Sequence, residues 1–181
     1  LYVCYDNEAY MNTGVQRSGA TPPAARTNTS HAIGDDPGAS FTQGKNLPKI
    51  AMAHGIPYVA TATVADLHDL EAKVKKAMSF HGARYLHVLV PCPLGWGTKS
   101  NETIELARLA TETGLFPVYE AEYGVVKNVK PIRHLRPAED YLKNQKRYAH
   151  LFGKNGRTDL LDRIQGIANK NIEEFKLVSE A

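Results

Sequence analysis

Hydrophobic positions along this chain fall into short unbroken runs, separated by stretches where they recur every three or four residues. Leu1-Tyr2-Val3-Cys4-Tyr5 is apolar at every position, the pattern of a strand buried inside a parallel sheet. From Asp6 to about Lys45 the periodicity disappears. Thr21-Pro22-Pro23, Asn28-Thr29-Ser30 and Gly34-Asp35-Asp36-Pro37-Gly38 punctuate that stretch. A structureless segment of this length inside a compact domain is usually functional or disordered. Leu47 to His54 predicts a short helix, with Asn46 as cap, Pro48 in the first turn and Gly55 as stop. Tyr58 to Thr63 predicts a strand. Asp66 to Phe80 predicts a helix with Leu67, Leu70, Val74, Ala77 and Met78 on its inner face.

Ala83 to Val90 is the clearest strand, apolar on both faces and expected at the centre of the sheet. Thr103 to Thr113 predicts a helix that turns Ile104, Leu106, Ala107 and Ala110 inward and closes at Gly114. Phe116 to Tyr123 predicts a strand that Val125 to Lys130 pairs with or extends. Pro137 to Leu151 and Thr158 to Leu177 predict helices of mixed charge, expected at the periphery. Strands alternating with helices imply an α/β domain with a mostly parallel sheet and flanking helices. We expect residues 1–135 to form that domain and 136–181 a helical C-terminal extension. The chain opens inside a strand, with no Met and no polar lead-in. It is therefore expected to be the C-terminal part of a longer polypeptide, with a sheet incomplete at its N-terminal side and an edge that the remainder covers.

Composition narrows the function classes. At 181 residues, 43% hydrophobic and 23% charged, the chain is long enough and apolar enough for one sizeable core. A formal charge of +3, spread along the sequence, is too mild to argue for nucleic acid. No apolar run approaches the roughly 18 residues of a membrane helix; the longest, Leu86 to Cys92, is broken by His87 and Pro91. No basic leader precedes an apolar core, so no signal peptide is read. Cys4 and Cys92 are the 2 cysteines, too few for a disulfide framework. A reducing compartment, the cytoplasm, fits. His31, His54, His68, His81, His87, His134 and His150 lie at no metal-ligand spacing, and only His31, in the long loop, is placed to reach a site there.

In α/β sheets ligands gather beyond the C-terminal ends of strands. Two chemically rich segments lie at such ends: Asp6 to Gly19, and Pro91 to Gly97. In Asp6-Asn7-Glu8-Ala9-Tyr10-Met11-Asn12-Thr13-Gly14, the Asn7 amide and the Ala9 carbonyl are two residues apart and can point the same way in an extended loop. A hard cation such as Mg2+ takes few protein oxygens of this sort and completes its shell with water and phosphate. The pattern is not that of an EF-hand. The competing reading is a polar loop capping a buried strand. Cys92, between Pro91 and Pro93 and ahead of Gly95-Trp96-Gly97, reads by itself as a buried structural cysteine. Arg17 and Arg26 read as solvated loop charges that could attract a carboxylate or a phosphate.

The run from Tyr5 through Asp6-Asn7-Glu8-Ala9-Tyr10-Met11-Asn12-Thr13-Gly14-Val15-Gln16-Arg17-Ser18-Gly19-Ala20-Thr21-Pro22 resembles the thiamine-diphosphate-binding beta subunit of the 2-oxoacid:ferredoxin oxidoreductases. The likeness continues through Pro91-Cys92-Pro93-Leu94-Gly95-Trp96 and, more loosely, through Arg136-Pro137-Ala138-Glu139-Asp140-Tyr141-Leu142-Lys143-Asn144-Gln145. It implies a thiamine-diphosphate-binding fold. It implies that Asn7 and the Ala9 carbonyl hold the Mg2+ that bridges the diphosphate, with an acid from a Gly-Asp-Gly segment outside this sequence. Asn12 matches the family's active-site amide, placed to hydrogen-bond developing oxyanion character. Tyr10 and Met11 would wall the cofactor, and Asp6 and Glu8 would shape the loop. Cys92 matches the fourth thiolate of a [4Fe–4S] cluster whose other three also lie outside this sequence. Cys4 stays a packing residue.

The implied reaction is oxidative decarboxylation of a 2-oxoacid on thiamine diphosphate. Electrons leave one at a time through the cluster to ferredoxin, and in most members the acyl unit passes to coenzyme A. The implied partners are the other subunits of the complex, ferredoxin and the 2-oxoacid. The segment alone is expected to be inactive. Pyruvate is the commonest substrate of the family. The segment Pro23-Ala24-Ala25-Arg26-Thr27-Asn28-Thr29-Ser30-His31-Ala32-Ile33-Gly34-Asp35-Asp36 departs from the Thr run and Ser-Pro-Ala-Gly-Lys expected of pyruvate enzymes, and this keeps oxalate open. Two readings compete: a non-catalytic α/β docking module, and an iron-free thiamine-diphosphate decarboxylase of the acetolactate-synthase kind.

Overall fold

The computed structural model describes residues 1–30, 44–154 and 156–178. His31 and the Gly34–Gly38 turn cluster lie outside the described residues. Five strands, β1 (Tyr2–Asp6), β2 (Tyr58–Thr63), β3 (Arg84–Leu89), β4 (Tyr119–Glu122) and β5 (Val125–Val129), form one sheet in the order β1-β3-β2-β4-β5. Among the described residues six α-helices accompany them: α1 (Leu47–Ala53), α2 (Leu67–Met78), α3 (Pro93–Trp96), α4 (Thr103–Glu112), α5 (Ala138–Leu142) and α6 (Thr158–Phe175). The protein is thus α/β, with helices on both faces of the sheet. None of the described helices is long and apolar enough to cross a membrane.

The parallel half of the sheet is β1, β3 and β2; β4 runs antiparallel to β2, and β5 antiparallel to β4. The sheet is therefore mixed, since an alternation of elements fixes their order but not the direction of the last strands. The Val125 segment pairs with its predecessor through a two-residue turn, Tyr123-Gly124, both at positive φ, which suits the twist of a hairpin. β4 starts only at Tyr119 because Pro117 has no N–H to give the ladder. The Thr61 hydroxyl fills in there, donating to the Pro117 carbonyl (2.8 Å) and accepting from the Tyr119 N–H (2.9 Å). β2, buried at all of its positions, occupies the centre that the pattern assigned to Ala83–Val90; β3 lies next to it, between β2 and the edge strand β1. On β1 the Tyr2 and Tyr5 side chains are exposed.

The two faces of β2 feed different packing layers. Tyr58, Ala60 and Ala62 join Leu86, Val88 and Ala77 beneath α2. Val59 joins Ala51, Tyr119, Ala121 and Phe175 beneath α1 and α6. The predicted Asn46 cap holds, its Oδ1 accepting from the Lys49 N–H, and Asp66, read as the start of the next helix, caps it in the same way on the Asp69 N–H, both at 3.0 Å. The inner face of α2 differs from expectation. Leu67 and Met78 are exposed, and Lys73 is buried. Its ammonium donates to the Thr61 carbonyl (2.8 Å) and to Asp69 Oδ2 (2.7 Å), so a charge occupies a position that periodicity would give to an apolar residue. On α4, Ile104 likewise faces outward, while Leu106, Ala107, Leu109 and Ala110 are buried.

The tail departs furthest from expectation. Pro137 to Leu151 is not one helix but α5 followed by a 3-10 segment, Lys146–Leu151. Gln145 Nε2 donates to the Tyr141 carbonyl (2.7 Å), the acceptor that the Gln145 N–H would use if the helix continued. Nor is the tail peripheral. Tyr141, Leu142, Tyr148 and Leu151 are buried with Trp96, Leu89 and the inner face of α4 in a single cluster, against Ala24 and Ala25 of the first loop.

Within that tail, both ring nitrogens of half-buried His150 have no hydrogen-bond partner among the described residues. Burial, with the charge of Arg26 adding to it, pushes the imidazole down from 6.5 to about 4. The unfolded chain binds this proton more readily, so the stability gained by keeping the ring neutral is complete above the unfolded value and is lost as pH falls toward about 4. His150→Gln should therefore flatten the decline of the full-length subunit's denaturation midpoint between those two pH values. An unchanged slope would show that the ring is not held neutral.

Candidate functional site

The site grows from two neighbouring parallel strands that end together. β1 finishes at Asp6, directly opposite Leu89 at the end of β3, and the Val90 N–H donates to the Asp6 carbonyl (2.8 Å). Both chemically rich segments leave the sheet here, side by side. The Cys92 segment turns at once into α3, with Pro93 at its start and Cys92 in extended conformation as its cap residue. Cys92 is half-buried against the tail cluster. The Trp96 N–H closes α3 on the Cys92 carbonyl (2.9 Å), and the indole Nε1–H donates to the Asn7 carbonyl (2.9 Å). The two segments are thereby bonded to each other as well as adjacent.

The first loop is locked from within. Asp6 spends both carboxylate oxygens: Oδ1 accepts from the Glu8 N–H (2.7 Å), and Oδ2 accepts from His87 Nε2 (2.9 Å) on β3. The Tyr85 hydroxyl lies 2.8 Å from the other ring nitrogen of His87. Glu8 has φ of +66°, a left-handed conformation uncommon outside glycine. Its carboxylate turns inward to Arg147 (2.5 Å), and its carbonyl accepts from the Thr21 hydroxyl (2.7 Å). Burial pushes the Glu8 carboxyl up against the pull of Arg147. Burial opposes the charge of Arg147 too, but the Glu8 carboxylate holds the guanidinium above its ordinary value.

These bonds select which oxygens remain. The carbonyl of Asn7 is taken by Trp96 and that of Glu8 by Thr21, while among the described residues no donor reaches the carbonyl of Ala9. Asn7 Oδ1 receives only a long contact from the Ala9 N–H (3.4 Å). Among the described residues, the Asn12 carbonyl at the tip of the turn also receives no donor, but Asn7 Oδ1 and the Ala9 carbonyl are the lightly committed pair at the strand end, at the positions singled out in the sequence. This donor set fits a hard cation that keeps part of its shell for phosphate and water.

Other predicted residues are placed as follows. Tyr10 is exposed, and its backbone pairs with Gln16 in an isolated antiparallel bridge. Met11 is half-buried over α3, where a Cβ on Gly95 would fall 2.0 Å from its sulfur. Asn12 is exposed at the tip of the turn. The backbone N–H of Arg17 donates to the Thr29 hydroxyl (2.9 Å), and that of the exposed Arg26 to the Arg147 carbonyl (3.0 Å). Cys4 lies half-buried in β1, where burial pushes its thiol up. Among the described residues no three His, Cys, Asp or Glu side chains converge as a metal site. A cleft of about 330 Å³ opens beside Asp6 and His87, but Asn7, Ala9, Asn12 and Cys92 lie outside its lining. Arg147, Trp96 and Thr21 had no role in the sequence reading. The Arg147 link spans 139 residues, and a lone basic residue in a helical pattern carries no sign of burial.

A family model described as the thiamine pyrophosphate enzyme, C-terminal TPP binding domain, matches residues 1–88, from the strand that carries the loop to the strand beside it. Pyruvate synthase subunit PorB of Methanosarcina barkeri is 48% identical over 176 residues, covering 97% of this chain and 59% of the relative. This chain belongs to the thiamine-diphosphate-binding beta subunits of the 2-oxoacid:ferredoxin oxidoreductase family. Pyruvate synthase subunit PorB of Methanocaldococcus jannaschii is 48% identical over 171 residues, with 91% of this chain and 53% of the relative covered. Ketoisovalerate oxidoreductase subunit VorB of Pyrococcus abyssi is 42% identical over 158 residues, with 83% of this chain and 49% of the relative covered. This beta-subunit chain thus spans about half to three fifths of the length of these curated relatives.

Proposed function

We propose that this chain forms part of the thiamine-diphosphate site of a 2-oxoacid:ferredoxin oxidoreductase that decarboxylates its substrate oxidatively. The observation that supports the reading is that the Asn7 and Glu8 carbonyls are taken by Trp96 and Thr21 while Asn7 Oδ1 and the Ala9 carbonyl stay lightly committed; these two would hold Mg2+. Asn12, exposed beside them, would hydrogen-bond the substrate, while Tyr10 and Met11 would line the cofactor. When bound, thiamine diphosphate supplies the electron sink for decarboxylation, and a [4Fe–4S] cluster a path for single electrons. Cys92 would give one thiolate to that cluster, and three others would come from elsewhere in the complex, since Cys4 is held in β1. Pro91 and Pro93 stiffen the ligand's backbone. The partners are the other subunits, ferredoxin, the 2-oxoacid and coenzyme A, in the cytoplasm.

For the substrate, the names of the relatives favour pyruvate, then a branched 2-oxoacid, over oxalate. The full-length complex, purified without oxygen, should hold thiamine diphosphate and iron in stoichiometric amounts. It should reduce ferredoxin or viologen with pyruvate in the presence of coenzyme A, and Cys92→Ala should lose iron. Thiamine diphosphate without iron would establish the iron-free decarboxylase instead. Absence of both would leave a docking module.

A further inference from the structure

We infer that Arg147 is a positioning residue for the Asn7–Ala9 grip, acting through Glu8 and Trp96; this rests on the metal reading above. Glu8 stands between the two ligands in a left-handed conformation that its own side chain does not favour. A residue in such a conformation persists only where its surroundings over-determine it. Here Asp6 holds the Glu8 N–H and Thr21 its carbonyl, while one guanidinium holds its side chain. Arg147 Nη2 pairs with Glu8 Oε2 at 2.5 Å, with the two side chains only 3% and 13% exposed. Its Nε donates to Gln145 Oε1 (2.8 Å), and its Cζ lies over the Trp96 ring, 3.9 Å from the ring centre.

Trp96 in turn holds the Asn7 carbonyl. Arg147 thus fixes Glu8 directly and Asn7 at one remove, turning the Glu8 side chain into the protein and leaving Asn7 Oδ1 and the Ala9 carbonyl for the metal. Being spent on Glu8, Gln145 and Trp96, the guanidinium acts through these residues. The arrangement also explains the break in the tail: the 3-10 segment that carries Arg147 points it at the loop, and Gln145 both ends the helix and braces the guanidinium. Lysine would keep the charge but neither the planar guanidinium over the indole nor the fork of donors.

The test uses the full-length subunit in its complex, stripped of cofactor and titrated with Mg2+ or Ca2+ at fixed thiamine diphosphate, with binding followed by calorimetry. Mg2+ demands near-ideal octahedral geometry and Ca2+ tolerates a loose one, so the ratio of their half-saturation points reports how well the grip is set. Arg147→Lys and Glu8→Gln, both conservative, are expected to raise the Mg2+ half-saturation about 10-fold, as loss of outer-shell support does, while moving Ca2+ less. The double variant Arg147→Met with Glu8→Gln removes both buried charges and is expected to recover melting temperature without recovering the ratio. A lowered melting temperature with an unchanged ratio in all three would overturn the inference and reduce Arg147 to a core ion pair. Asn7→Ala separates this failure from that of the metal reading. If Asn7→Ala weakens Mg2+ and the Arg147 variants do not, only the positioning role is lost; if Asn7→Ala leaves Mg2+ binding unchanged, the metal reading falls as well.

Discussion

Trp96→Ala is expected to destabilise the full-length subunit by about 3–5 kcal/mol, the range for truncating a large buried aromatic. Trp96 is fully buried, and it joins three parts of the chain. Its indole N–H holds the loop after β1, its ring meets Tyr141 of α5 edge-on at 6.3 Å, and its other neighbour is the Arg147 guanidinium. Alanine leaves a cavity, removes the donor to the Asn7 carbonyl and exposes a buried cation to an empty space. Denaturant unfolding followed by far-UV circular dichroism measures the loss. Trp96→Phe, which restores most of the volume but not the N–H, should recover the larger share of it. A midpoint unchanged in Trp96→Ala would mean that the tail does not pack on α3.

The second large effect is expected at Gly97, which ends α3 in a left-handed conformation with φ of +67°. A Cβ there would lie 2.6 Å from Cβ of Lys146, the first residue of the 3-10 segment. Unlike the end of a long side chain, a Cβ cannot swing aside without its backbone. Gly97→Ala should therefore cost about 2–4 kcal/mol, from the left-handed alanine and the overpacking together. Gly95→Ala is the control. Its Cβ would meet only the flexible end of Met11, which can move, so the cost should be smaller. Equal midpoints for the two variants would contradict the close approach of α3 and the tail.

Local chemistry decided much of this protein, and the sequence displays it. Caps at Asn46 and Asp66, the Tyr123-Gly124 turn and the apolar runs of β1, β2 and β3 depend on residues a few positions apart, so these elements and their α/β order follow from local sequence, whereas the broken tail helix does not. The proposed ligands Asn7 and Ala9 were nominated from a local motif together with the family it resembles; their spacing by itself fits a polar capping loop as well.

Long-range packing decided the rest. No periodicity tells that Lys73 is buried on the Thr61 carbonyl, that β4 runs antiparallel to β2, or that Arg147 crosses 139 residues to Glu8. A charged side chain reads as exposed until its partners are seen, and the partners that let Lys73 and Arg147 be buried include the Thr61 carbonyl and the Glu8 carboxylate, brought in from other elements. The sequence by itself determined which residues offer oxygen and sulfur. Only the tertiary structure decided that the Asn7 and Glu8 carbonyls are unavailable, because hydrogen bonds from Trp96 and Thr21, brought in from elsewhere in the chain, consume them.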